Sequence, residues 1–138
     1  MSHGLGVIDR TVEKTYEWLD EVAERDLLEN RRRAYQVLRA VLQALRDRLE
    51  PDVAAHLAAQ LPLLVRGLFY EGWDPSSTPM RLSLADLLGR VERGAALKGP
   101  SEAEDAVRAV LALLRDDLGQ GTVDHLVSVL PREFAGLV

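Results

Sequence analysis

The chain contains no cysteine, only two lysines among its 17 basic residues, and no apolar run long enough to cross a bilayer. Without cysteine, disulfide bonds, a thiolate nucleophile and sulfur ligands for a metal are excluded. The longest apolar stretch, residues 61–68, is interrupted by Pro62, Arg66 and Gly67, so no transmembrane helix is predicted. The opening MSHGLGVIDR lacks the cationic start and the apolar run of a secretory signal. We therefore expect a cytoplasmic protein without a membrane partner.

Signatures of catalysis and of phosphate binding are also missing. The sequence has no G-x-S-x-G, no glycine-rich phosphate loop, no H-E-x-x-H and no EF-hand spacing. The net charge of −5 and the isoelectric point of about 5.2 disfavour nucleic acid as a partner. From these absences we expect no catalytic residue, no cofactor and no nucleic-acid ligand, and the sequence indicates no enzyme class.

An internal repeat is the most informative feature that the sequence does contain. Residues 34–69 recur as residues 103–138 at an offset of 69, and 15 of the 36 aligned positions carry the same amino acid. RAVLQALRDRL aligns with RAVLALLRDDL, and HLAAQLP aligns with HLVSVLP. Such self-similarity indicates a duplicated supersecondary unit. Weaker similarity upstream extends the two copies to residues 12–70 and 84–138, joined by a linker at residues 72–81.

Helical periodicity runs through both copies. At 100° per residue, six apolar positions of the first copy fall within one arc of about 140°. These are Val37, Leu38, Val41, Leu42, Leu45 and Leu49. The second copy reproduces the arc with Val107, Val110, Leu111, Leu114 and Leu118. The pattern predicts one long amphipathic helix in each copy, with its apolar face in the core.

Helix starts are predicted from capping residues. Asn30 can cap the long helix of the first copy, and Ser101 with Glu104 has the spacing of a capping box for its equivalent. Ser83 and Asp86 give another such start, ahead of a short helix. A short helix is therefore expected before each long one.

The last helix of each copy contains a Leu-Pro pair, at residues 61–62 and 130–131. Proline removes a helical hydrogen bond and disfavours helical geometry in the residue before it, so each helix should kink or break there. We expect an all-α domain, residues 1–138, with about six helices in two tandem pseudo-symmetric three-helix units. Packed face to face about an approximate twofold axis, each unit would cover the apolar surface of the other.

Two histidines are the first candidate ligands. His56 and His125 occupy equivalent positions, so a twofold axis could bring them together, and paired imidazoles can bind a metal. Two histidines alone supply too few ligands, and Val53 and Thr122 stand where the Glu-x-x-His motif of di-iron bundles requires glutamate. A half-buried, hydrogen-bonded ring is the favoured interpretation, and a metal site remains the alternative.

Tyr70 and Trp73, in the segment YEGW, are the first candidates for protein interaction. Exposed aromatic residues beside a loop rich in glycine and proline can anchor a partner. The same side chains could instead fold back and fill the seam between the two units. Packing is the favoured interpretation of the pair.

The run Arg31, Arg32 and Arg33 is the second interaction candidate. Cations at the start of a helix oppose the helix dipole, so the run could mark an anion or an acidic partner. Nearby acids, among them Glu24 and Asp26, favour instead a solvated charged face.

The long arginine-bearing helix, the Leu-Pro pair and the YEGW element together resemble the bacterial family catalogued as domain of unknown function 2267. Here these elements are residues 39–49, 61–62 and 70–73, with echoes at residues 108–118 and 130–131. The resemblance covers roughly residue 12 to the C-terminus. It implies an all-α fold found in small bacterial proteins, sometimes fused to other domains. It implies no assigned activity, cofactor or catalytic residue.

Two classes of function follow from these observations. The leading hypothesis is a non-enzymatic interaction, adaptor or regulatory module that binds a protein partner through a helical groove or the Tyr70–Trp73 region. The alternative is a small-molecule or metal-binding protein with a pocket between the two repeats, near His56 and His125. Self-association into a homodimer is a third hypothesis.

Overall fold

Helices make up the regular structure of residues 4–137, which are the residues that the computed structural model describes, and no strand occurs among them. The seven α-helices are α1 (Gly6–Arg25), α2 (Arg31–Arg48), α3 (Pro51–Ala58), α4 (Leu63–Tyr70), α5 (Leu84–Gly94), α6 (Pro100–Leu118) and α7 (Gln120–Ser128). Two 3-10 helices lie at Pro75–Ser77 and Arg132–Leu137. The all-α class is therefore confirmed.

The expectation of about six helices is wrong because the Leu-Pro pairs divide helices completely. Residues 59–62 separate α3 from α4, and Pro62 is the N-cap of α4. Likewise, α7 ends at Ser128 and a 3-10 helix follows Pro131. Since proline lacks an N–H and restricts the residue before it, each predicted third helix becomes two short ones.

Two of the three predicted helix starts are confirmed. The side chain of Asn30 accepts a hydrogen bond from the backbone N–H of Arg33 at 3.0 Å, and Ser83 forms a complete capping box with Asp86. The capping box expected at Ser101 is wrong, because α6 begins one residue earlier at Pro100. Proline is favoured in the first helical turn, where its missing N–H would have no partner.

Helix α1 is longer than the short helix predicted before the long helix of the first copy. Its C-terminal half buries Trp18, Leu19 and Val22. Its N-terminal half extends back to Gly6 and leaves apolar side chains exposed, among them Ile8 and Val12. The helix therefore continues beyond the part that the core covers.

The long helices α2 and α6 form the centre of the core. Every residue of the predicted apolar arc of α2 is buried, and the arc of α6 is buried except for the half-buried Leu118. Helix α2 packs against α1, α4, α5 and α6, and α6 packs against α1, α5 and α7. One continuous apolar cluster joins these helices and extends to Leu137. None of the helices within residues 4–137 is long and apolar enough to cross a membrane.

Arg46 of α2 is the only buried charged residue of the described chain, at 4% exposure. Its guanidinium donates hydrogen bonds to the carbonyl oxygens of Phe69 at 2.9 Å and Glu71 at 2.8 Å, at the end of α4. Its Nε also donates to Asp47 at 2.8 Å. The other carboxylate oxygen of Asp47 accepts from Arg90 of α5 at 2.9 Å. One network thus fastens α4 and α5 to α2.

We expect Arg46→Ala to lower the free energy of unfolding by about 3 kcal/mol, because it leaves two carbonyls unpaired and Asp47 with one partner fewer. Arg115 is the matched control, because it is the equivalent of Arg46 in the second repeat. Unlike Arg46, its Nε has no hydrogen-bond partner. Arg115→Ala should lower it by about 1 kcal/mol or less. Urea unfolding followed by circular dichroism compares the two variants. Equal losses would contradict the role assigned to the Arg46 network.

Candidate functional site

The two repeated histidines line the same cavity. It lies between α3 and α7, has a volume of about 140 Å³ and is open to solvent on one side. Its lining consists of Val53, His56, Leu57, Gln60, Gly121, Thr122, His125 and Leu126. His56 and His125 are both exposed residues, whereas Leu57 and Leu126 are buried. The cavity therefore combines an apolar floor with two accessible imidazoles.

Polar groups at this cavity are already partly paired. The hydroxyl of Thr122 donates to the side-chain oxygen of Gln60 at 2.8 Å and so links α7 to the residues after α3. Within residues 4–137, no group of three or more His, Cys, Asp or Glu side chains could hold a metal ion. A zinc ion bound by His56 and His125 would have to complete its shell with water, whereas structural zinc sites use four protein ligands.

Tyr70 and Trp73 are half-buried and pack against the core. Their ring centroids lie 5.2 Å apart, and Tyr70 also makes an edge contact with Phe69 at 5.6 Å. The indole Nε1 of Trp73 is buried without a hydrogen-bond partner. The two aromatic residues therefore pack at the end of α4, and their role in filling a seam between two units stays a prediction.

The three consecutive arginines do not form one patch. Arg31 makes a double hydrogen bond to Asp20, at 2.8 and 3.0 Å, and lies over the ring of Tyr16 at 4.5 Å. That hydrogen bond lowers the pKa of Asp20. Arg33 donates to the carbonyl of Ala95 at 2.8 Å, just after α5. Arg31 and Arg33 therefore connect the start of α2 to two different helices, and Arg32 is exposed.

An apolar groove lies between α1, α2 and α4, at a position that the sequence did not predict. It has a volume of about 300 Å³ and is lined by Thr15, Leu19, Tyr35, Leu38, Leu64, Val65, Gly67, Leu68 and Glu71. Several large apolar side chains at the groove and beside it remain accessible: Leu63 is 51% exposed, Leu64 48% and Tyr35 45%. Contiguous exposed apolar surface of this kind marks binding sites more often than chance exposure does.

The repeat itself contains the signal that could have located this groove. At the offset of 69, Tyr35 corresponds to Glu104, Leu63 to Arg132 and Leu64 to Glu133. The first copy therefore has apolar side chains where the second has charged ones. We infer that these three differences mark a surface that only the first copy carries.

Ion pairs border the groove on two sides. Glu71, in its lining, accepts from Arg39 at 2.8 Å. One helical turn before Tyr35, Arg31 pairs with Asp20. These pairs leave the groove without unpaired charge at these edges, so its recognition chemistry is apolar.

A cluster of acids lies at the junction of α1 and α6, where a surface cleft is lined by Arg25, Asp26, Asp105 and Arg108, among others. Burial, together with the negative charges of Asp105 and Glu102, raises the pKa of Asp26 to about 6 against the opposing effect of Arg33. The folded chain therefore holds a proton on Asp26 that the unfolded chain releases at lower pH.

A family model described as "Uncharacterized conserved protein (DUF2267)" matches residues 15–137 of the chain. The match covers all seven α-helices except the beginning of α1. Among curated proteins, none matches the chain. The family description adds no catalytic residue or ligand to the geometry described above.

Asp26 should make stability depend on pH. Its folded pKa of about 6 lies above the ordinary value of 3.8, so the folded state binds more protons than the unfolded state between these values. Stability should fall as the pH rises through this window. Asp26→Asn should remove the fall and stabilise the protein at pH 8 by about 1 kcal/mol, a figure reduced for solvent screening.

Urea unfolding of both proteins at pH 4, 6 and 8 measures this difference. Asp52→Asn, which removes an exposed carboxyl from α3, serves as the control for the loss of one negative charge at the surface. A wild-type profile that rises from pH 4 to pH 8, with no gain from Asp26→Asn at pH 8, would contradict the assignment.

Proposed function

The chain belongs to the DUF2267 family, and we propose that it is a non-enzymatic interaction module that binds an amphipathic helix of a partner protein. The binding surface is the groove between α1, α2 and α4. The observation that carries this proposal is the accessible apolar lining of the groove around Tyr35 and Leu64. We place the module in the bacterial cytoplasm, as an adaptor or regulatory component.

A helix is the ligand that suits the shape and chemistry of this groove. Its walls are three helices, and the recognition of an amphipathic helix by a helical groove relies on apolar side chains spaced along one face of the ligand. Leu19 and Leu38 lie in the groove as buried residues, while Leu64 and Tyr35 are accessible at its edge. A partner presenting leucine-like side chains would bury this edge.

The paired charges beside the groove support the same ligand class. Arg39 with Glu71, and Arg31 with Asp20, are hydrogen-bonded partners on the protein itself. Such pairs surround an apolar centre with polar groups that need no charged counterpart on the ligand. Affinity would then come mainly from the burial of apolar side chains.

We further propose that the two repeats are related by an approximate twofold axis, within a single domain and with residues 72–81 as the connection. Three residue pairs at the repeat offset support this arrangement, because both members of each pair line the cavity between α3 and α7. They are Val53 with Thr122, His56 with His125, and Leu57 with Leu126. A cavity on a twofold axis is lined by such equivalent residues from both units.

The same cavity supports the alternative function, a small-molecule or metal-binding protein. Its apolar floor and its two exposed imidazoles, from His56 and His125, form a small amphipathic pocket of about 140 Å³. A ligand there would be limited to a few heavy atoms, or to a metal ion with water in its remaining positions.

Leu64→Asp tests the groove. The substitution places a charge in an apolar contact, and it should weaken binding of the helix partner at least about a hundredfold. Val129→Asp is the matched control, because Val129 is 40% exposed against 48% for Leu64 and lies outside the groove. Photo-crosslinking from position 35 in host cells identifies the partner, and calorimetry with the purified partner measures affinity for each variant.

Two outcomes would contradict the proposal. One is a crosslinked partner that binds Leu64→Asp as tightly as wild type. The other is a crosslink only to a second copy of the chain, in which case the surface is a homodimer interface. Urea unfolding of each variant shows whether a loss of binding comes from a loss of folding.

Zinc titration tests the alternative. If the cavity binds a metal, calorimetry of protein purified without a histidine tag should detect one site, and His56→Ala or His125→Ala should abolish it. His3→Ala is the control, since His3 is the third histidine of the chain and lies outside the described residues. Zinc binding that survives the double variant, or that is absent in wild type, rules out a metal at this cavity.

A further inference from the structure

A cavity of about 280 Å³ between α2 and α5 gathers four arginines. It is lined by Arg39, Ala40, Gln43, Ala44, Arg46, Asp47, Arg90, Arg93 and Gly94. The chain as a whole carries a net charge of −5. This concentration of guanidinium groups is therefore a local feature that runs against the overall charge of the protein.

The acids near this cavity do not neutralise it. Asp47 is shared by Arg46 and Arg90, and Glu71 pairs with Arg39. Within residues 4–137, Arg93 forms no ion pair. Four positive charges less two negative ones leave a local charge of +2. Like charges this close repel one another, and a bound anion would relieve that repulsion.

One of the four guanidinium groups has a structural role, and the other three are accessible to a ligand. Arg46 is buried and donates to the carbonyls that end α4, so it holds the cavity wall. The side chains of Arg39 and Arg90 remain 40% and 33% exposed although each is oriented by a carboxylate. Arg93 is exposed as well. Arginines held in position lose less freedom when they bind an oxyanion.

Small residues form part of the wall of this cavity. Ala40, Ala44 and Gly94 all line the cavity. A Cβ atom at Gly94 would lie 3.0 Å from that of Ala40, so the end of α5 approaches α2 closely there. A larger side chain at this contact would push α2 and α5 apart.

The repeat shows that this charge is specific to one copy. At the offset of 69, Arg39 and Arg46 correspond to Arg108 and Arg115. The two arginines of α5 have acidic counterparts instead: Arg90 corresponds to Glu21 and Arg93 to Glu24. The basic cavity is therefore not a general consequence of the duplicated fold.

We propose that this cavity binds the phosphate group of a small anionic molecule. Phosphate presents several oxygens and up to two negative charges, and planar guanidinium groups recognise it with paired hydrogen bonds. Arg39, Arg90 and Arg93 supply the donors, and Arg46 fixes the wall behind them. The volume is below the range of about 300 to 1,000 Å³ that is typical of drug-sized ligands, so the ligand is small. This site is distinct from the apolar groove, although the Arg39–Glu71 ion pair joins a residue of the cavity to a residue of the groove.

Titration with inorganic phosphate and with acetate, at low ionic strength, tests the proposal. NMR shifts of the arginine Nε–H groups and calorimetry report binding. Phosphate should bind saturably and at least about tenfold more tightly than acetate, because it carries more charge and more acceptor oxygens. Arg93→Gln and Arg39→Gln should each weaken phosphate binding about tenfold. Arg132→Gln removes an exposed arginine outside the cavity as the matched control and should have little effect.

Several results would overturn the proposal. Equal binding of acetate and phosphate would make the site a carboxylate site. If Arg132→Gln and Arg93→Gln weakened phosphate binding equally, the binding would depend on the overall charge of the protein and not on this cavity. Tight binding of a phosphoserine peptide, with no saturable binding of inorganic phosphate, would make it a peptide site. Since Arg93 lies outside the apolar core and outside the groove, Arg93→Gln should leave the unfolding curve and the partner binding of the groove unchanged.

Discussion

The buried guanidinium of Arg46 is the interaction on which the arrangement of the surrounding helices depends most. It occupies the central helix α2, binds the carbonyls that end α4 and shares Asp47 with Arg90 of α5. A buried charge is stable only when its hydrogen bonds are satisfied, so these partners have to stay in place together. The network therefore fixes the positions of the two helices that form walls of the apolar groove and of the arginine cavity.

The residues of the proposed binding sites are found mainly where the two repeated segments differ. The shared positions include the core leucines and the Leu-Pro pairs, which specify helices and breaks. The exceptions include Leu64 against Glu133 in the groove, and Arg93 against Glu24 in the cavity. Surface positions of either repeated segment can change in this way while the shared core positions stay buried.

Local rules explain which predictions succeeded. The arc of α2 is buried and Asn30 caps that helix, since periodicity and capping act over a few residues. The start of α6 was misplaced because Pro100 took the first helical position ahead of Ser101. Of the two alternatives expected at each Leu-Pro pair, a kink or a break, the structure has the break, so the predicted number of helices was too low. In each case the sequence allowed two structures. Pro100 and Ser101 were both suitable for the start of α6, and a Leu-Pro pair can either kink a helix or end it.

By itself, the sequence determined the all-α class, the buried faces of the long helices and the positions of the two Leu-Pro breaks, since these follow from neighbours along the chain. Only the tertiary structure decided which distant side chains meet. His56 and His125 line one cavity, Tyr35 and Leu64 line one groove, and arginines of α2 and α5 surround another cavity. Helix packing sets these contacts, and packing depends on the combined shape of many side chains, which no local pattern encodes.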